Sequence, residues 1–430
     1  RAGVGGGRSP TVSTVTPSIR RRVLAPVAAT AVILAACSSD DTSAPETTVA
    51  ATTTTLAPPA TGDGRLVVGL LLPVNDPALG MSLADGAELA VERINEAGGV
   101  LDRSVRSIVV DEGTSAATAT AAIQTLLEQD VDAIVGPASS VIALNTLDDI
   151  VASGTVACSP TASALALDDY PDDELFFRTV PSDSLQAVAI AEVADQTGAQ
   201  RATIVHVDDA YGRGLEDAVS DALVSGPITI SESVALSAGD DDFGDEARSI
   251  AGSDAQIVII LADSATSTRF LEALDEVDGE LSTVITNDAI RSGETAQRIA
   301  ALAPTLRTKI IGVGPQAESS TDPFDPPGPF ATNAYDCVNL IALAAQKVGS
   351  DAARDIAGQM ASVSASGSVC RTYADCLVAL ESGLQIDYNG PSGVTELLVR
   401  RGDPARATFD RFTFDENGRD QVQRTFVVGI

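Results

Sequence analysis

Hydroxyl-bearing residues follow two buried apolar runs of this sequence, where their side chains can hold an anion. Gly136-Pro137-Ala138-Ser139-Ser140 separates one run from a predicted helix, and Ser159-Pro160-Thr161-Ala162-Ser163 follows the next run. A helix N-terminus carries N–H groups without helical partners and a partial positive charge, so hydroxyls beside it can bind a carboxylate. The alternative is structural, because serine often caps helices and the second segment also fits an ordinary polar loop.

The second half of the chain places an aromatic ring and an acid at comparable positions. Tyr211 follows one predicted strand and Asp288 follows another. The ring can lie over a ligand, and the carboxylate can accept a charge-assisted hydrogen bond from an ammonium group. An acid at this position is also a common helix cap. Together with Ser139, Ser140, Thr161 and Ser163, the two residues suit the capture of an amino acid.

Catalysis by one of these serines is disfavoured. The sequence has no G-x-S-x-G elbow around Ser139, Ser140 or Ser163. Its single histidine, His206, falls in the other half of the chain within an apolar strand, so no base is expected beside a serine. We therefore predict a binding protein and not an enzyme.

Composition excludes several other classes of function. The net charge is −33, from 60 acids and 27 bases, and this field repels the phosphates of nucleic acids. The acidity also fits a salty habitat or a need for solubility. One histidine and no CxxC pair make a metal site improbable, and we expect no cofactor.

The cysteines indicate an oxidising compartment. Cys370 and Cys376 are close enough in sequence for a local disulfide outside the cytoplasm. Cys158 and Cys337 either pair or remain buried thiols, and the sequence leaves both possibilities open.

The N-terminal segment, residues 1–37, has the pattern of an export signal. Three arginines, Arg20 to Arg22, precede an apolar run from Val23 to Leu34 that is too short to span a bilayer, for which about 20 residues are needed. The run closes on Leu-Ala-Ala-Cys, which resembles a bacterial lipobox with Cys37 as the lipid-modified residue. Residues 38–64 are rich in Thr, Ala and Pro and are expected to form a flexible spacer.

Beyond the spacer, apolar runs and helical patterns alternate in two blocks, which predicts two parallel α/β sheets. The predicted strands are 66–72, 108–111, 131–135, 155–157, 202–207, 228–234, 257–261, 283–285 and 310–313. In the second block the predicted helices lie near 187–194, 215–223, 243–250 and 268–277. Ligands of such folds bind beyond the carboxyl ends of the strands, where the polar residues above are found.

Several motifs together resemble the branched-chain amino-acid type of periplasmic binding protein. They are VGLLLPVNDPALG, GAELAVERINEAGGV, DAIVGPASS, CSPTASA and VDDAYGRG, followed in the tail by NAYDCVNLIALAA, IDYNGPSG and GDPARATFDRFTF. The resemblance covers Leu66 to Ile430. The order and spacing of the motifs are more specific than any one of them.

The resemblance implies two Rossmann-like lobes joined by three crossover segments, near 181–184, 313–316 and 388–393. The first lobe would comprise 65–183 and 314–390, and the second 184–313 and 391–430. It implies that Ser139 or Ser140 and Ser163 bind a carboxylate with help from Thr161, that Tyr211 is the aromatic contact, and that Asp288 accepts an ammonium group. The implied partner is an ABC permease, in a receptor held by lipid on the outer face of the cell membrane.

Departures from the family pattern leave the ligand open. Asn75-Asp76 replaces the usual Thr-Gly after the first strand, and Leu79 stands where the first lobe has an aromatic residue. Asp263-Ser264-Ala265 supplies no ring after another strand. Amino acids, amides and polyamines all remain candidate ligands. A ligand sensor that reports to a signalling receptor is the alternative to an importer.

Overall fold

The computed structural model describes most of the chain beyond the spacer. The described residues are 62–76, 79–237, 239–277, 279, 281–291, 295–316, 328–393 and 395–429. The predicted signal segment, its Cys37 and nearly all of the spacer lie outside these ranges. Within them, no helix combines the length and the apolar character that a membrane crossing requires.

Strands and helices alternate through three consecutive stretches of the chain. The first contains β1 (Val67–Leu72), α1 (Gly80–Glu96), β2 (Arg106–Asp111), α2 (Ala116–Leu127), β3 (Ala133–Val135), α3 (Ser140–Ser153), β4 (Val156–Ser159) and β5 (Phe176–Arg178). The second contains α4 (Asp183–Asp195), β6 (Arg201–Val207), α5 (Ala210–Leu223), β7 (Thr229–Leu236), α6 (Gly244–Ala251), β8 (Ile257–Leu261), α7 (Ser264–Asp275), β9 (Thr283–Thr286), α8 (Ala296–Ala301), α9 (Pro304–Arg307) and β10 (Ile310–Pro315). The third contains α10 (Ala331–Val348), α11 (Ala353–Val363), β11 (Ser368–Cys370), α12 (Tyr373–Glu381), β12 (Ile386–Tyr388), β13 (Thr395–Leu397), β14 (Pro404–Phe414) and β15 (Asp420–Gly429).

The strands form two large sheets with the same parallel order. The first sheet runs β2-β1-β3-β4-β5, and the parallel part of the second runs β7-β6-β8-β9-β10. In each sheet the strand order reverses once, between β1 and β3 and between β6 and β8. Ligands bind at such a reversal, beyond the carboxyl ends of the strands.

Both sheets are buried on both faces, which explains their continuous apolar sequences. One face of the first sheet packs against α1 and the late helices α10 to α12, and the other face packs against α2 and α3. In the second sheet α4 and α5 cover one face, while α6 and α7 cover the other. The predicted fold class, two α/β lobes with parallel sheets, is confirmed.

The described strands of the two large sheets agree with the predicted strands to within a few residues. Besides the small parallel sheet of β11 and β12, two features were not predicted. One is the short strand β5 at the edge of the first sheet. The other is the antiparallel extension of the second sheet by β13, β14 and β15. The last predicted helix, 268–277, instead covers Ser264–Asp275, because the Asp263 carboxylate caps it by accepting from the N–H groups of Ala265 and Thr266.

Two disulfides join parts of the molecule that carry the first sheet. Cys370 and Cys376, the pair suggested by their spacing, are bonded, with Cα atoms 5.2 Å apart. Cys158 and Cys337, which the sequence left open, are also bonded and tie β4 to α10 across a separation of 179 residues. This second bond fixes a late helix beneath the strand that leads to Ser159 and Thr161.

Candidate functional site

A cavity of about 400 Å³ lies at the carboxyl ends of the first sheet and is closed on one side by the second. Every strand of the first sheet is followed by wall residues: Pro73 and Asp76, Glu112, Ala138 to Ser140, Thr161 and Ser163, and Val180 and Pro181. The other wall residues are Leu79, Asp183, Gln186, Asp288, Pro315 and Phe330. Five of the six predicted ligand residues therefore share one cavity: Ser139, Ser140, Thr161, Ser163 and Asp288.

The turn after β3 requires a glycine to aim the following residues into the cavity. Gly136 has φ of +119°, a backbone conformation that residues with a side chain rarely adopt. A Cβ atom at this position would lie 2.0 Å from the carbonyl oxygen of Leu71. The chain can therefore pass this close to β1 only with glycine, and α3 begins four residues later at Ser140.

The hydroxyl groups of the wall already make hydrogen bonds within the protein. Ser139 caps α3, since its Oγ accepts from the N–H of Ile142 at 3.4 Å. Ser140 Oγ accepts from the N–H of Ala164 at 3.3 Å, which joins the two serine-containing loops. The Thr161 hydroxyl donates to the carbonyl oxygen of Ala138 at 2.7 Å. In these bonds both serine hydroxyls act as acceptors and can still donate to a ligand, whereas the Thr161 hydroxyl already donates its hydrogen to Ala138.

The Glu112 carboxylate accepts hydrogen bonds from backbone N–H groups that were expected, from the sequence, to bind a ligand carboxylate. Its Oε2 accepts from the N–H of Ala138 at 2.7 Å, and its Oε1 accepts from the N–H of Ser139 at 3.2 Å. Burial raises the pKa of this carboxyl to about 7, although the two backbone donors lower it and Asp111 adds to the rise. The expectation of free N–H groups here is wrong for these two, because a side chain from the end of β2 fills the position.

Asp183 adds a second buried acid to the wall. It is the first residue of α4, is 4% exposed, and lies close enough to the Ser163 side chain for that group to lower its pKa. Burial is the main cause that raises its pKa to about 7, and the nearby Asp288 carboxylate raises it further. The Asp183 N–H also donates to the carbonyl oxygen of Ser163 at 2.9 Å. Ser163 is thus held between the wall and α4.

Asp288 is the acid that the second sheet contributes. Gln186 Nε2 donates to its Oδ1 at 2.6 Å and also to the carbonyl oxygen of Val313 at 3.3 Å. Burial raises the pKa of Asp288 above its ordinary value, against the lowering effects of Gln186 and of Arg291. Because Gln186 lies on α4, the same helix positions both Asp183 and the partner of Asp288.

Tyr211 does not line the described cavity. Its hydroxyl oxygen accepts from Asn287 Nδ2 at 2.8 Å, and its ring packs against the apolar cores on both faces of the second sheet. Burial raises its pKa well above the ordinary value, and the charges of Asp183 and Asp288 add to this effect. Tyr211 therefore contacts Asn287, the neighbour of Asp288 in the sequence, and is not among the described wall residues.

Four wall residues were not expected from the sequence to contact a ligand: Glu112, Asp183, Gln186 and Phe330. Glu112 directly follows a strand, which is the same signal that identified Asp288. Asp183 follows the cap residue Ser182 and looks like an ordinary acid in a first helical turn. Phe330 has φ of +57° before α10, and nothing in its sequence signals the cavity. Within the described ranges, no group of three or more His, Cys, Asp or Glu residues is arranged to hold a metal ion.

The comparisons with known proteins agree with this architecture. The family model described as "Periplasmic binding protein" matches residues 66–375. The chain is 30% identical over 354 residues to the chemotactic signal transduction system substrate-binding protein BasB of Halobacterium salinarum, covering 78% of this chain and 84% of BasB. It is 28% identical to the Leu/Ile/Val-binding protein BraC3 of Rhizobium johnstonii, covering 68% of this chain and 82% of that protein.

A solved structure shows the same fold. The branched-chain amino acid transporter substrate binding protein LivJ of Streptococcus pneumoniae, in complex with isoleucine, superposes with a TM-score of 0.65 at 20% identity. The match covers 85% of this chain and all of LivJ. Two parallel sheets of the same strand order, a cavity between them and a family match over most of the chain lead to one conclusion: the chain belongs to the periplasmic binding protein family, with the type I fold.

Proposed function

We propose that this chain is an extracytoplasmic receptor that captures a small polar solute, an amino acid or a related compound, and delivers it to an ABC importer. The observation that carries the proposal is the cavity of about 400 Å³, whose wall combines strand ends of the first sheet with Asp288 and Pro315 of the second. A cavity of this size suits a small molecule. We propose binding without catalysis and without a cofactor.

Capture would occur by closure of two lobes, 65–183 with 314–390 and 184–313 with 391–430. The chain crosses between the sheets after β5, after β10 and after β12, and rotation about these crossings would open the cavity. A ligand that touches Ser140 on one side and Asp288 on the other gains contacts only in the closed state. This difference in contacts supplies the free energy that favours closure.

In the proposed arrangement Cys37 carries a lipid and residues 38–64 tether the binding unit to the membrane. The permease lies in the same membrane, so the tether keeps receptor and permease close. Ser139, Ser140, Thr161 and Ser163 contact the ligand from the first lobe, and Asp288 contacts it from the second. Tyr211 supports Asp288 through its neighbour Asn287.

A second candidate function is ligand sensing. BasB, the relative from Halobacterium, is named as part of a chemotactic signal transduction system. In this alternative the loaded chain binds a signalling receptor and not a permease. Capture of the solute would be the same in both cases, and only the membrane partner would differ.

A thermal-shift screen tests the capture step. The panel contains amino acids, amides, polyamines and short-chain acids. A ligand at ~100 times its dissociation constant should stabilise the folded chain by about 2.7 kcal/mol. The Ser140→Ala variant should lose affinity for the solute that is found. A chain that no solute in the panel stabilises would contradict the proposal.

Deletion of the gene for this chain from its host distinguishes the ABC permease from the signalling receptor as the partner. Loss of uptake of the radiolabelled solute, with normal swimming responses, supports the importer. Loss of the swimming response with normal uptake supports the sensor.

A further inference from the structure

The charged residues described in the cavity wall are all acidic. The described residues of the wall include four acids, Asp76, Glu112, Asp183 and Asp288, and no lysine, arginine or histidine. Burial raises the pKa of Glu112 and of Asp183 to about 7, because the hydrogen bonds and charges around these acids offset only part of the cost of burying a negative charge.

The nearest cations are committed to other acids. The Arg178 guanidinium binds Asp168 and Asp403. The Arg291 guanidinium binds Asp410 and Asp420. Each arginine therefore faces two carboxylates outside the wall. Arg178 lowers the pKa of Asp183 and Arg291 lowers that of Asp288, but neither guanidinium lines the cavity.

The donors that could hold a ligand carboxylate are largely used within the protein. Glu112 occupies the N–H groups of Ala138 and Ser139, and the Thr161 hydroxyl donates to a backbone carbonyl. The Ser163 side chain lies next to Asp183 and lowers the pKa of that acid. A ligand that brings its own carboxylate would find the hydroxyls of Ser139 and Ser140 but no cation in the described wall, and it would lie near acids whose like charges repel it.

We propose that the cavity selects a cationic amine that lacks a carboxylate, and that Glu112 occupies the position that a carboxylate of the ligand would otherwise take. The inference rests on the proposed receptor function and narrows its class of ligand. The ammonium group lies between Asp183 and Asp288, where two wall acids from different parts of the chain approach each other. The rest of the ligand packs against Leu79, Pro315 and Phe330.

Two compounds that differ only in the carboxylate give a direct test by isothermal titration calorimetry on the full chain. Leucine and 3-methylbutylamine share the same alkyl group and the same ammonium. The amine should bind at least tenfold more tightly, and added salt should weaken its binding because the attraction is electrostatic. Cadaverine against lysine repeats the comparison with a longer chain.

Substitutions of the wall acids test whether these residues cause the preference for the amine. Asp183→Asn should weaken the amine at least tenfold, and the exposed Asp217→Asn on α5 should change nothing. Glu112→Gln should shift the preference toward leucine, since one of the two backbone N–H groups loses its carboxylate partner. Circular dichroism confirms that each variant is folded.

The outcomes separate this inference from the receptor function. Leucine binding as tightly as the amine, or more tightly, would overturn the inference and leave the receptor in place. If neither amine binds but another solute of the panel does, the inference fails and the receptor stands. If nothing in the panel binds, both fail.

Discussion

Arg178 Nε donates to Asp403 Oδ1 across 2.7 Å, and the two residues are 225 positions apart in the chain. Arg178 ends β5 of the first sheet, and Asp403 directly precedes β14 of the second. The same guanidinium donates from Nη1 to the carbonyl oxygens of Ala162 and Ala164, which flank Ser163. One buried cation therefore holds both a crossover region and a loop of the cavity wall.

Removing the acid from this pair should strongly destabilise the chain. Asp403→Asn removes one of the two carboxylates that balance the charge of the fully buried Arg178 guanidinium. Breaking a buried ion pair costs about 3–5 kcal/mol. Urea unfolding at pH 8 measures the loss. The control is Glu96→Gln in the exposed Arg93–Glu96 pair, which should unfold like the parent chain. Equal stability of the Asp403 variant and the parent would show that the network is not structural.

Asp132 should make the chain less stable as the pH rises. Burial raises the pKa of Asp132 to about 7, against the hydrogen bond from the Val67 N–H. The unfolded acid loses its proton near pH ~4, so the stabilising protonated form is fully present below that pH and is lost as the pH rises through about 7. Asp132→Asn should therefore raise the melting temperature at pH 8 and leave it nearly unchanged at pH 4. A variant that melts below the parent at pH 8 would contradict this reasoning.

The two disulfides should contribute unequally to stability. A cross-link stabilises more when it closes a longer loop, by about 5 kcal/mol for the Cys158–Cys337 separation and about 2 kcal/mol for the Cys370–Cys376 separation. Denaturant unfolding of the two double alanine variants measures both. The Cys158→Ala/Cys337→Ala chain should have the lower free energy of unfolding of the two variants. The reverse order would mean that native-state contacts, and not loop closure, dominate the effect.

Gly136→Ala should disturb the cavity. The new Cβ would meet the Leu71 carbonyl at 2.0 Å, and the positive φ adds a strain of about 1–3 kcal/mol. We expect lower stability and weaker ligand binding, measured by urea unfolding and calorimetry. Gly358→Ala in α11 is the matched control, because a Cβ there meets no atom within 4 Å and alanine favours a helix by about 1 kcal/mol. A tolerated Gly136→Ala would show that the turn can relax.

The parts of the fold that were predictable are those that local sequence determines. A strand buried on both faces must be apolar along its length, so Val67–Leu72 and Ile257–Leu261 are visible as continuous runs. The loops that follow such strands must lie at one edge of the sheet, which is why Ser140 and Thr161 were found in one cavity. Neither conclusion requires knowledge of distant contacts.

The parts that were missed depend on contacts between distant residues. Glu112 is 26 positions from Ala138, and nothing near Glu112 in the sequence shows that its carboxylate fills the start of α3. Asp183 resembles an exposed first-turn acid until the second sheet packs against it. Tyr211 follows a strand end as expected, yet its hydroxyl accepts from Asn287 and it is not among the described wall residues. The strands β13 to β15 were also missed, although the alternation of polar and apolar residues in Pro404–Phe414 is a local signal of a strand.

The antiparallel strand β14 has a consequence for the order in which the molecule can be built. It pairs with β10 and provides Phe409 and Phe412 to the cores on the two faces of the second sheet. A chain made from its amino terminus cannot complete that sheet until these last residues have left the ribosome. The first sheet waits as well, since α10 to α12 cover one of its faces. Neither sheet can therefore be completed before the late segments that cover or extend it have been made, so both halves fold late in synthesis.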